Sequence, residues 1–287
     1  MRRSLVLTRA IEGDFWFSPA IWAVIIQLLG LRLVQAGVSS IVTVGDFYRL
    51  HVALFCFVPV LLFAFWFTAT YHARSLASLG LSWRRGSKML KLGLELGLGF
   101  MVVIVSLNML FQTVVISWSG SFKLGSFMVL LLAYGLQSLT EEVLFRGFAM
   151  NGIAKRKGHV IASLLSSLAF SFIHYRNAEV SWLALFNLFL IGLVLSLLFY
   201  LSDSLLLVTG VHTMWNFSMG CFFGNKVSGG YSPVSVFRMQ AHPEKIWLNG
   251  GGFGFEGGFI CSFVMIGLTV LFYCLAQQKA KRERGNL

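Results

Sequence analysis

Glu141-Glu142-Val143-Leu144-Phe145-Arg146-Gly147 places two adjacent carboxylates and a guanidinium inside a stretch that otherwise reads as a membrane-spanning helix. Upstream, residues 126–140 run Ser-Phe-Met-Val-Leu-Leu-Leu-Ala-Tyr-Gly-Leu-Gln-Ser-Leu-Thr, and the helical pattern continues downstream to about Ala154. Charges in hydrocarbon are costly and persist where they line a cavity, pair with one another or do chemistry. Glu142 and Arg146 are four apart, so they share a helical face and can pair. Glu141 is rotated by about 100° and needs a partner elsewhere. Two carboxylates against one arginine leave about one surplus negative charge.

The composition surrounding this stretch excludes an ordinary soluble domain. Of 287 residues, 57% are hydrophobic and 12% charged, with a mean hydropathy of +0.77; soluble domains average about 25% charged. The chain therefore reads as an all-α polytopic membrane protein. The net charge of +12 does not point to nucleic acid, because the basic residues cluster in short segments between apolar runs, the positive-inside pattern. Cys56, Cys221, Cys261 and Cys274 have no paired spacing, so neither a disulfide framework nor a cysteine metal site is indicated. Glu12 and Asp14 precede the first apolar run and no cleavage site is evident, which reads as a retained first span.

About eight spans are expected, at residues 17–38, 49–72, 92–116, 126–154, 159–175, 182–201, 205–221 and 257–277. A basic linker occupies 73–91, and Lys155-Arg156-Lys157-Gly158 closes the fourth span. Eight spans put both termini on one side. That side then holds fifteen basic residues: Arg2, Arg3, Arg9, five within 73–91, Lys155 to Lys157, Lys279, Lys281, Arg282 and Arg284. The other side holds six, namely Arg49, Lys123, Arg176, Lys226, Arg238 and Lys245. The asymmetry makes the first side cytoplasmic. The whole of 1–287 reads as a single membrane domain with its core at 125–220, and 222–256 as a glycine-rich non-cytoplasmic loop or a cover over a cavity. His51, His72, His159 and His242 are read as interfacial.

Other polar residues share this setting. His174 ends Phe170-Ser171-Phe172-Ile173-His174, and His212 and Asn216 lie four apart on one face of the seventh span. Gathering Glu141, Glu142, Arg146, His174, His212 and Asn216 into one intramembrane polar cavity satisfies all of them, whereas scattering them leaves penalties unmet. On a rise of about 1.5 Å per residue, their depths agree only if some helix is broken, tilted or shortened. A carboxylate, two histidines and an asparagine permit amide hydrolysis, with Glu141 as base, His174 assisting, and His212 and Asn216 steadying the oxyanion. Alternatively, Glu141, His174 and His212 could hold Zn²⁺ with an open position for water. No His-Glu-x-x-His motif occurs.

Glu-Glu-x-x-x-Arg at 141–146, Phe-x-x-x-His at 170–174 and His-x-x-x-Asn at 212–216 resemble, in order, the three motifs of the CPBP family. These are the CAAX proteases and bacteriocin-processing or immunity proteins, also called Abi proteins or type II CAAX prenyl endopeptidases. Two further echoes are Ser-Leu-Ala-Ser-Leu-Gly-Leu at 75–81 and the glycine-rich Gly250–Gly258 segment containing Glu256. The resemblance implies an intramembrane endopeptidase with the roles just given, Glu142 and Arg146 supporting, and a metal-independent glutamate mechanism favoured over zinc. Eukaryotic members cut the last three residues from prenylated Cys-a-a-X tails. The compact chain looks bacterial, which implies a cell-membrane location and a small peptide or membrane-protein segment as substrate. Two other classes compete: a non-catalytic bacteriocin self-immunity or scaffold protein, and an ion-coupled transporter, the latter weakened by the absence of matched inverted repeats. The expected partners are the lipid bilayer and a peptide substrate, with no nucleic acid; no oligomeric state is indicated.

Overall fold

The computed structural model describes residues 17–285 except 44, 72–74 and 82–84. Arg2, Arg3, Arg9, Glu12, Asp14, His72, Arg74 and Arg84 lie outside the described residues.

Helix α1 spans Ser18–Ile41. Pro19 sits in its opening turn, where a missing N–H costs nothing. Helices α2 (Asp46–Phe55) and α3 (Phe57–Tyr71) are separated at Cys56. Pro59 causes the break: it has no N–H to give the Phe55 carbonyl, and its ring crowds that turn. Helix α4 covers Gly86–Leu110. Helix α5 (Leu124–Glu142) passes through a π-helical stretch, Val143–Met150, into α6 (Asn151–Phe172). Helices α7 (Trp182–Ser202) and α8 (Leu205–Phe217) form a hairpin, and α9 (Phe259–Gly285) closes the chain. Ser181 and Ser204 cap α7 and α8 by accepting from Ala184 N and Leu207 N, while Asp203 takes the left-handed turn between them at φ 53°.

Among the described residues, six stretches are long and apolar enough to cross a membrane: Ser18–Ile41, Asp46–Thr70, Gly86–Leu110, Leu124–Phe172, Trp182–Ser202 and Phe259–Arg282. The chain is a multi-pass, helical membrane protein, but helix length alone does not reach the expected eight. The 49-residue stretch breaks at Gly158, where φ 77° and ψ 170° suit only glycine. That break falls on the expected boundary between the fourth and fifth spans. Helix α8 runs 13 residues before a π turn, Ser218–Phe222, and is too short to count by itself.

One expectation needs correction. The third span ends at Leu110 rather than near residue 116, because the chain turns at Gln112 (φ 50°) into a strand. That strand, β1 (Val114–Trp118), pairs antiparallel with β2 (Phe237–Ala241), matching Val114 to Ala241 and Trp118 to Phe237. A two-stranded sheet therefore joins the helices. The β-branched run Val114-Val115-Ile116 favours extended backbone once a partner strand is present. His51 lies in α2 and is 6% exposed, packed against the protein.

Polarity is inverted relative to a soluble protein. Ile41, Trp182 and Phe263 are exposed on the outside, while Glu142 and Arg146 are fully buried. The tightest crossing sets α4 against α8. A Cβ at Gly93 would collide with the Leu207 carbonyl, one at Gly97 with the Val211 carbonyl, and one at Gly210 would lie 2.6 Å from the Leu90 carbonyl. Small residues four apart let two backbones meet in this way without a soluble-type hydrophobic drive. The crossing fixes the helix that carries His212.

Candidate active site

Six helical segments and the glycine-rich segment converge on the polar residues. From α5, Glu141 and Glu142 project in different directions, as their 100° offset requires. Glu142 Oε1 accepts from Arg146 Nη1 at 2.9 Å, and Arg146 Nη2 donates to the Gly192 carbonyl of α7 at 3.0 Å. The guanidinium also lies 4.7 Å over the Phe170 ring. His212 Nδ1 lies 2.9 Å from the same Glu142 Oε1. The Glu142 oxygen already accepts from the Arg146 guanidinium, and as the acceptor it leaves Nδ1 to carry the proton in that bond.

The second ring nitrogen of His212 is thereby aimed at the other carboxylate. Nε2 stands 3.7 Å from Glu141 Oε2, beyond hydrogen-bonding range. Glu141 Oε1 accepts from Gln27 Nε2 of α1 at 3.1 Å and from Gln137 Nε2 at 3.4 Å. A protonated His212 brings the Glu141, Glu142, Arg146 and His212 cluster to zero net charge, which answers the surplus left by the sequence motif. A buried cluster held at neutrality with hydrogen bonds avoids most of the penalty of isolated charges.

His174 lies in the turn after α6, with Nδ1 2.9 Å from the Phe170 carbonyl. A carbonyl can only accept, so this bond protonates Nδ1 and leaves the Nε2 lone pair of the neutral ring free. Asn216 follows His212 by one turn and is 5% exposed. Two adjoining cavities meet here. One, of about 330 Å³, is bordered by His212, Asn216, Trp215 and Tyr134. The other, of about 240 Å³, is bordered by Gln27, Glu141, Arg32 and Arg176. Gln137, His174 and Asn177 line both. The six residues singled out from the sequence thus gather in one region, with His174 on the wall between Glu141 and Asn216.

Several participants were not legible beforehand. Gln27 is an amide in an otherwise apolar stretch of the first span, upstream of Arg32 and Gln35. Glu256 appears in the glycine-rich motif but had no assigned role. It is 2% exposed; Oε1 accepts from Trp215 Nε1 at 2.9 Å, and Oε2 accepts from Ser228 N at 2.9 Å and Ser228 Oγ at 2.6 Å. Burial raises its pKa above the ordinary value, opposed by these hydrogen bonds and by His212. Ser228 to Gly230 border the larger cavity, so the glycine-rich segment forms part of its wall. The π stretches were also missed. Ile26–Gly30 holds Gln27, Val143–Met150 holds Arg146, and Ser218–Phe222 follows Asn216. π-turns concentrate where a helix must re-aim side chains at a site.

Among the described residues, no group of three His, Cys, Asp or Glu side chains is arranged to hold a metal ion. His212 Nδ1 is engaged by Glu142 and His174 Nδ1 by a carbonyl, which leaves each ring's Nε2 available to water, substrate or a metal ion. Residues 123–218 match the family model of Type II CAAX prenyl endopeptidase Rce1-like proteins. That segment contains all six motif residues and the whole α5 to α8 framework. A search of curated proteins finds no match to the chain.

Proposed function

We propose, starting from a multi-pass membrane protein whose residues 123–218 form a CAAX-protease-family domain, that the chain is an intramembrane endopeptidase using a glutamate base. Its substrate class is a small peptide or membrane-protein segment. The observation carrying this reading is the approach of Glu141 to His212, with His174 between the two cavities and Asn216 one turn further on.

In the proposed reaction, Glu141 takes a proton from water as the water oxygen attacks the scissile carbonyl carbon. His174 Nε2 orients that water, its Nδ1–H being committed to Phe170. The carbonyl oxygen becomes an oxyanion, and the donors available to it are Asn216 Nδ2–H and the Nε2–H of an imidazolium His212. Glu142 keeps His212 in register, and Arg146 holds Glu142 in place by its hydrogen bond. Collapse of the intermediate breaks the C–N bond, and the proton on Glu141 passes to the leaving nitrogen. The products are a new carboxyl terminus and a new amine.

The test is hydrolysis by detergent-purified protein on a panel of membrane peptides, prenylated and plain, with and without a strong chelator. Cleavage that survives chelation and is lost in Glu141→Gln supports the glutamate mechanism. Loss on chelation with recovery on Zn²⁺ moves the reading to metal-assisted hydrolysis. A protein that cleaves no peptide, with Glu141→Gln retaining full biological activity, replaces the enzyme reading by an immunity or scaffold role.

A further inference from the structure

Tyr134 lies on α5 seven residues before Glu141, on the same helical face, and the mechanism above does not use it. Its side chain is 3% exposed, yet its hydroxyl has no hydrogen-bond partner among the described residues and borders the cavity that holds His212 and Asn216. The hydroxyl oxygen is not itself enclosed by protein but opens into the cavity, where water or a ligand can meet it. A donor aimed into a site is satisfied when a ligand arrives.

Its position along the cavity is well defined. A Cβ at Gly220 would lie 3.2 Å from the Tyr134 hydroxyl oxygen, so the hydroxyl rests against a position that has no side chain. Asn216 follows His212 by one turn of α8, and Gly220 follows in the π turn after it. The hydroxyl, resting against Gly220, therefore stands roughly one turn, on the order of 5 Å, along the chain axis from the Asn216 backbone. In an extended peptide, alternate carbonyls point the same way and are spaced by twice a rise of about 3.3 Å. The two spacings are of the same order.

We infer that Tyr134 is a substrate-binding residue whose hydroxyl donates to the backbone carbonyl two residues from the scissile bond, holding the substrate extended along α8. The inference rests on the endopeptidase reading and adds a substrate requirement. A helical segment has its carbonyls occupied internally, so only a segment unwound at the cut can offer that carbonyl. Peptides with glycine or proline near the cleavage point meet the requirement most readily.

The experiment uses the full-length protein and the peptide that it cleaves fastest in the panel above. Thioamides replace, one at a time, the carbonyls within three residues of the cut, since sulfur accepts a hydrogen bond poorly while preserving shape. Tyr134→Phe removes one oxygen and leaves the packing in place. The expected result is a fall in kcat/KM of about three- to tenfold on the parent peptide, the range for one neutral hydrogen bond. The thioamide two residues from the cut costs the wild-type protein a similar factor and costs Tyr134→Phe nothing further; thioamides elsewhere act equally on both proteins. Unchanged kcat/KM in Tyr134→Phe, or losses that multiply at every position, overturns this inference while leaving the endopeptidase intact. A wild-type protein without hydrolytic activity overturns both.

Discussion

Arg146 is worth more to this protein as a partner than as a charge. It neutralises Glu142 and ties α7 to the π stretch through the Gly192 carbonyl. Replacing it by methionine strands a buried carboxylate, so Arg146→Met is expected to cost about 3–5 kcal/mol, visible as a lower Tm in detergent. Glu141→Gln is expected to behave oppositely. It keeps its size and its acceptor for Gln27, so Tm holds while hydrolysis falls by about 10²–10⁴-fold, measured by single-turnover cleavage. Glu256 falls between these cases. Glu256→Gln turns one accepting oxygen into a donor facing Trp215 or Ser228, both of which already donate. A loss of about 1–3 kcal/mol is expected, read by thermal unfolding. The pairing of Glu142 with Arg146 was legible from their spacing. The three bonds to Glu256 were not, because nothing local connects residue 256 to residues 215 and 228.

At the scale of elements, the α4–α8 crossing decides where His212 stands. Gly93 and Gly97 are spaced as a small-xxx-small pair, a sequence signal that passed unnoticed within an ordinary apolar span. Gly97→Val drives a branched side chain into the Val211 carbonyl and is expected to lower both Tm and activity, by at least the 1–3 kcal/mol usual for overpacking. Gly99→Val is the control, since a Cβ there meets nothing within 4 Å. The turn at Gly158 offers a second comparison. Gly158→Ala places a side chain in backbone space that only glycine occupies freely, costing about 1–3 kcal/mol on thermal unfolding. The π stretches had no sequence signature. They arise when neighbouring helices fix both ends of a segment in a register that 3.6 residues per turn cannot satisfy.

The described part of the molecule turns apolar side chains outward and encloses the Glu141, Glu142 and Arg146 cluster, so its orientation in the bilayer follows from loops rather than from the core. The excess of basic residues in 73–91, 155–157 and the C-terminal helix end supports a cytoplasmic position for these segments. Single cysteines at Lys157 and Lys245 are expected to react with an impermeant thiol reagent from opposite sides of sealed vesicles. Labelling of both from one side would sink this topology. Cys56, Cys221 and Cys261 are buried, and the exposed Cys274 is first removed by Cys274→Ser.

The helical membrane character and the gathering of Glu141, Glu142, Arg146, His174, His212 and Asn216 were set by sequence, because each rests on a local cost. A charge in hydrocarbon is penalised wherever the helix ends up, and residues four apart share a face in any helix. Only the tertiary structure decided that one Glu142 oxygen serves both Arg146 and His212, that Gln27 meets Glu141, and that the glycine-rich segment walls the cavity through Glu256. Those outcomes depend on which faces of distant segments come together. That is set by the steric fit of glycine-lined crossings and by pairing of strands over 100 residues apart, neither of which any short window of the chain contains.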